Sequence, residues 1–139
     1  MFQLDIEQNF NTTVEQLFQA WSNINIMKTW FAPGTMTVPE ATADVSVNGV
    51  YRIVMQEDDG SQHIVGGQYK EIVTNQKLVF SWQWEGSPNT TLVTVMFQKV
   101  DDKTSKLILN HSEFIEAEFR DHHLQGWHGC LANLQRISH

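Results

Sequence analysis

Apolar and polar side chains alternate from the start of the chain: over residues 3–10, Leu4, Ile6, Gln8 and Phe10 share one face, the pattern of a half-buried strand. Asn11-Thr12-Thr13 then supplies capping groups, and Val14, Leu17, Phe18 and Trp21 recur at helical spacing, so a short helix follows. A second short helix is expected over residues 24–30. It ends before Phe31-Ala32-Pro33-Gly34, because proline disfavours α conformation at the residue before it and Gly34 permits a turn.

From residue 35 the texture becomes β. Strands are expected at 35–38 and 43–47, then a hairpin at Asn48-Gly49, then a strand over 50–56. Asp58-Asp59-Gly60-Ser61 makes the next turn, and in the strand over 62–73 Gly66-Gly67 marks a bulge or a close backbone approach. Strands at 78–84, 91–100 and 106–111 complete the meander. In the first of these, alternation puts Leu78, Phe80, Trp82 and Trp84 on one face, opposite Val79, Ser81 and Gln83. A face so large and aromatic is either a thick core or the wall of a cavity. Ala117, Leu124, Trp127, Leu131 and Leu134 then recur at helical intervals, predicting a long terminal helix over about 116–137. This order gives an α+β fold of the helix-grip kind. A curved antiparallel sheet of about six to seven strands wraps around a long carboxy-terminal helix, with two short helices after the first strand.

Composition narrows the reading. At 139 residues the chain suits a single domain, 1–139. Nine Lys plus Arg against sixteen Asp plus Glu give a net charge of −7, which argues against nucleic acid and against an anionic membrane as partners. No apolar run approaches the ~20 residues of a membrane-spanning helix. The single cysteine, Cys130, has no internal disulfide partner, and Met-Phe-Gln-Leu-Asp at the amino terminus is not a secretory signal, so a cytoplasmic location is expected.

Several fragments, in order, resemble one family over almost the whole chain: Val14-Glu15-Gln16-Leu17-Phe18-Gln19-Ala20-Trp21, Trp30 before Phe31-Ala32-Pro33, Asn48-Gly49-Val50-Tyr51-Arg52, and Gly67-Gln68-Tyr69-Lys70-Glu71-Ile72. Leu78-Val79-Phe80-Ser81-Trp82, Thr94-Val95-Met96-Phe97, and His123 with Gly126-Trp127 and Leu131 continue the series. Together they resemble the START-like, birch-pollen-allergen-like (SRPBCC) superfamily. More narrowly they resemble the group named after the carboxy-terminal domain of the activator of heat-shock protein 90 ATPase. The resemblance implies the helix-grip fold, which hosts ligand carriers, hormone receptors, cyclases and chaperone activators alike. Relatives often carry arginine at the position of Ser46 and Gly-Gly at that of Asn48-Gly49. The chain is also expected to begin at the domain's first strand, without the separate amino-terminal domain that supplies much of the chaperone contact in eukaryotic activators.

Candidate chemistry is sparse. His122, His123 and His128 lie on the predicted terminal helix, but separations of five and six residues turn His128 roughly 120–140° away from the other two, so no metal site is assigned. His123 and Trp127 share a face and His111 is the expected strand partner, a polar pair for a cavity mouth. Cys130 reads as a buried, unactivated thiol with Gly129 allowing close packing, and the paired aspartates as solvated turn formers. Among the carboxylates only Glu113 is placed to reach a cavity. No catalytic residue and no cofactor is assigned. The leading functional reading is a hydrophobic small molecule held between sheet and terminal helix. It would be lined by Trp30, Tyr51, Ile53, Phe80, Trp82, Trp84, Val95, Phe97, Leu109, Phe114, Trp127 and Leu131, with His111, His123 and Arg52 as orienting polar groups. The alternatives are a protein-interaction module with a chaperone or other protein partner, and a cyclase-type enzyme using the same cavity.

Overall fold

Alternation and capping build the elements in the expected order. In the structure, a computed structural model describing residues 1–138, β1 (Phe2–Phe10) buries Leu4, Ile6 and Phe10. The Thr13 hydroxyl accepts from the Gln16 N–H at 3.1 Å and starts α1 (Val14–Ser22). Asn23 both ends α1, its backbone N–H donating to the Gln19 carbonyl, and caps α2 (Ile24–Met27) with its side-chain oxygen. The meander follows as β2 (Thr37–Ala43), β3 (Val50–Gln56), β4 (Gln62–Val73), β5 (Lys77–Trp84), β6 (Thr91–Lys99) and β7 (Ser105–Phe114), and α3 (Ala117–Ile137) ends it. No helix among the described residues is long and apolar enough to cross a membrane.

All seven strands form one antiparallel sheet in the order β1-β7-β6-β5-β4-β3-β2. Pairing of β1 with β7 brings the first and last strands together, so α1 and α3, which follow them, lie over the same face. That face is apolar because each strand alternates: Leu78, Phe80 and Trp82 on β5, Val93, Val95 and Phe97 on β6, and Leu107 and Leu109 on β7 are all buried. Trp127, Cys130, Leu131 and Leu134 on α3 close over them. The sheet is curved and the long helix packs into it, as the helix-grip reading requires.

Four local expectations are corrected. The second helix stops at Met27, and residues 28–32 turn inward, burying Trp30, Phe31 and Ala32. The Trp30 indole N–H donates to the Ala20 carbonyl at 2.9 Å, so tertiary burial overrides the helical pattern. Instead of two short strands at 35–38 and 43–47 there is one, β2. Asn48-Gly49 is not a two-residue turn: it closes a six-residue loop, 44–49, in which Asn48 takes φ 71°. Gly49 is required for space, since a Cβ there would collide with the Asp44 carbonyl. Finally, β7 runs on to Phe114, three residues past the expected end.

Gly67 resolves its two readings in favour of close approach: a Cβ would collide with the Ser81 carbonyl on β5, and the β4–β5 register shift falls later, between Tyr69 and Glu71. Gly129 lets α3 press on the 28–36 segment, since a Cβ would lie 2.8 Å from the Pro33 Cβ. Asn133 fixes the same contact by donating to the Ala32 carbonyl at 2.7 Å.

Leu131 is fully buried beneath α3. Leu131→Ala should therefore lower stability by about 2–5 kcal/mol in denaturant melts, and a loss below about 0.5 kcal/mol would contradict the packing of α3 on the sheet.

Candidate functional site

Where α3 leaves the sheet, the packing opens into a cavity of about 430 Å³. Pro33 and Met36 border it from the segment before β2, Met55 from β3, His63 from β4, Trp82 and Trp84 from β5, and His122, His123, Gly126, Trp127 and Cys130 from α3. Trp82 anchors the wall: its ring lies 5.2 Å from Trp127 and 5.5 Å, nearly perpendicular, from Trp84. Behind Trp127 the aromatic layer continues to Trp21 and Phe31, at 5.8 and 5.7 Å.

Two tryptophan–histidine hydrogen bonds tie α3 to the sheet. Trp127 Nε1–H donates to His111 Nδ1 at 3.0 Å, and Trp84 Nε1–H donates to His123 Nε2 at 2.9 Å. An indole nitrogen can only donate, so each of these imidazole nitrogens is unprotonated. His111 then carries its proton on Nε2 and donates to Thr91 Oγ1 at 2.6 Å, and the Thr91 hydroxyl donates to the Trp82 carbonyl at 3.3 Å. His123 carries its proton on Nδ1 and donates to the Phe119 carbonyl at 2.7 Å. Both rings are neutral and have both nitrogens engaged.

Burial reinforces this. It pushes His111, fully buried, down to about 2, helped by the nearby His123. Burial also lowers His123, against the Phe119 hydrogen bond and with help from His122. The Cys130 thiol is pushed up to about 12 by burial, which leaves it a poor nucleophile although it borders the cavity. The Trp82 Nε1–H has no hydrogen-bond partner among the described residues.

The structure brings together Trp82, Trp84, His123 and Trp127 of the expected lining. His111 stands one layer behind Trp127, and Phe114 packs against both His111 and His123 at 4.4 and 4.9 Å. Tyr51, Ile53 and Phe80 lie farther along the sheet around a void of about 10 Å³, barely room for one water. Trp30, Val95, Phe97, Leu109 and Leu131 are packed in the core, Trp30 edge-on to Trp21 at 4.8 Å. Arg52 does not orient anything in the cavity. Its exposed guanidinium pairs with Glu85 at 2.7 Å and lies 3.7 Å from Glu40. Glu113 is likewise exposed, at φ 72°.

Residues absent from the expected lining are Pro33, Met36, Met55, His63, His122, Gly126 and Cys130. Most belong to loops and strand ends whose position depends on tertiary packing. Gly126 was accessible to sequence reasoning, because a helix-interior glycine costs about 1 kcal/mol relative to alanine and calls for a reason. His63 pairs with Glu57 at 2.7 Å, and His128 is exposed. Among the described residues no three His, Cys, Asp or Glu side chains stand close enough to hold a metal ion.

The pH dependence of folding follows from His111. Its folded-state pKa lies below the unfolded value of about 6.5, so the unfolded chain binds the extra proton. Its contribution is intact above pH 6.5 and is lost as pH falls, by up to about 1.4 kcal/mol per unit. Urea melts between pH 7.5 and 5, above the range where carboxylates titrate, should show this decline. A flat profile would contradict the neutral, buried assignment.

The family model described as Activator of Hsp90 ATPase homolog 1-like protein matches residues 11–138. Among solved structures, an AHSA1 protein from Silicibacter pomeroyi is similar at TM-score 0.87 and 25% identity, covering 97% of this chain and 96% of that one. A protein from Chromobacterium violaceum is similar at TM-score 0.86 and 16% identity, over 99% and 98% of the two chains. A protein of unknown function from Staphylococcus aureus follows the same fold at TM-score 0.76 and 20% identity, over 98% and 92%. No curated protein matches the chain.

Proposed function

The chain belongs to the family of Activator of Hsp90 ATPase homolog 1-like proteins, and from that premise we propose that it binds an apolar or aromatic small molecule in the cavity between β5 and α3. Its volume of about 430 Å³ falls within the range of small-molecule sites. The walls are of the kind such sites use, three tryptophans and two methionines with polar groups confined to histidines and indoles.

One observation carries the reading. Gly126 lies inside α3 and borders the cavity, yet a Cβ there would meet nothing within 4 Å. Gly129, one turn on, is a glycine because Pro33 presses against it. No neighbour demands Gly126, and alanine would favour the helix by about 1 kcal/mol. What the glycine preserves is the open space beside it. An apolar ligand would gain roughly 25 cal/mol for each Å² of apolar surface removed from water. Trp82, Trp84 and Trp127 supply aromatic surface suited to rings. A cytoplasmic setting accords with the lone buried thiol of Cys130.

Gly126→Leu tests this with a signature that damage to the fold cannot mimic. The variant should keep or raise its melting temperature, through helix propensity, while losing saturable binding of N-phenyl-1-naphthylamine and of fatty acids, sterols and polycyclic aromatics. Tryptophan quenching and thermal shift both report it. If the parent protein shows no saturable quenching and no thermal stabilisation across that screen, the ligand reading fails, and the protein-contact role that the family name describes gains weight.

A further inference from the structure

The contact between Trp84 and His123 joins β5 to α3 at the cavity itself, since both side chains border the open space. Because the indole can only donate, this bond exists only while His123 Nε2 is unprotonated. The other nitrogen is already donating to the Phe119 carbonyl. A second proton on the ring would set one N–H against another at 2.9 Å, and the contact would have to part.

We propose that the Trp84–His123 contact is an acid-labile latch that keeps β5 and α3 together at the cavity border and weakens the cavity's hold on its ligand when His123 is protonated. The proposal rests on the ligand reading above. Apart from the Phe119 carbonyl, the surroundings of His123 favour the neutral ring. From α3, His122 adjoins it, and Arg120 is turned away, over the Phe2 ring at 5.6 Å and paired with Asp121. From β7, His111 faces it with ring centroids 5.2 Å apart. From β5, only the uncharged Trp82 and Trp84 rings meet it, Glu85 being held by Arg52. At the end of β7, Phe114 packs on the ring while Glu113, and Glu116 ahead of α3, are exposed. Across the cavity stands His63, already paired with Glu57.

Thus no carboxylate contacts His123 among the described residues, and the nearest ionisable groups that act on it are two further histidines. An imidazolium here would lack a counter-charge. Opening Trp84 away from α3 lets the ring reach water and take the proton. The ratio of open to latched protein therefore rises by up to about tenfold per pH unit below about 6.5. His111 is sealed behind Trp127 and does not share this freedom, so local opening acts through His123.

Two measurements test the latch between pH 8 and 5.5. In ligand-free protein, the Trp84 indole N–H resonance should shift or lose its protection together with the His123 ring; a Trp84 resonance unchanged down to pH 5.5 overturns the proposal. For the uncharged probe N-phenyl-1-naphthylamine, the dissociation constant should be flat above pH 7 and rise by up to about tenfold per unit below pH 6.5. His123→Gln should flatten that profile, since its amide offers one acceptor to Trp84 and one donor to Phe119 and does not titrate. Parallel profiles for the two proteins overturn the proposal. Absence of probe binding at every pH overturns the ligand reading, and the Trp84 resonance then decides the latch on its own.

Discussion

Burial of indole and imidazole groups at the helix–sheet seam is the constraint on which this structure depends. A long helix laid over an aromatic sheet face brings polar ring nitrogens into a place without water, where each unpaired group costs about 1–3 kcal/mol. At Trp127 and Trp84 the chain answers by pairing a donor that can only donate with a histidine that can do both, while the indole N–H groups of Trp82 and Trp21 have no partner among the described residues. Trp127, His111, Thr91 and the Trp82 carbonyl form one continuous series from α3 through β7 and β6 to β5. The series fixes the tautomer of His111, and with it the rotation of α3 over the sheet. A histidine in this position is a packing element first, and its neutrality is the condition for the packing.

Beside this sealed region the same residue types form an open one. Trp84 and His123 repeat the pairing of Trp127 and His111 a short distance away, at the border of the cavity. The difference is exposure: His111 is enclosed, whereas His123 is half-buried and within reach of solvent. An identical hydrogen bond is therefore structural in one place and breakable in the other, because only in the second can the ring exchange its partner for water.

Much of the architecture was legible because it rests on periodicity. Alternation in β1 and β5 and the stripe Trp127, Leu131 and Leu134 on α3 specify which faces meet, whatever their neighbours. What failed to be legible depended on contacts distant in sequence. Trp30 follows a helical pattern but is drawn inward by the Ala20 carbonyl. Asn48-Gly49 carries the strongest local hairpin signal, yet the loop closes over six residues because Asp44 and Ser46 take part. For the cavity, the aromatic face of β5 was apparent and its extent was not. Phe80 and Trp82 are equivalent by alternation, but Phe80 meets Tyr51 and Tyr69 in a filled interior while Trp82 meets open space.

That divergence along a single strand explains how one face serves both stability and function. Toward the Phe80 end, α1 and the inward turn of residues 28–32 lie over the sheet and fill it. Toward the Trp84 end α3 and the Pro33–Met36 segment border an open space instead, with α3 tied to β5 through its own histidine and bearing a glycine where a side chain would narrow the gap. Packing density in protein interiors is high enough that a void of this size persists only if the backbone around it is braced. Here the bracing is visible on both sides: Asn133 and Gly129 pin α3 to the Pro33 segment, and Trp84 pins it to β5. The cavity is thus a consequence of where the helix is anchored, and loosening any one anchor changes access to it before it changes the fold.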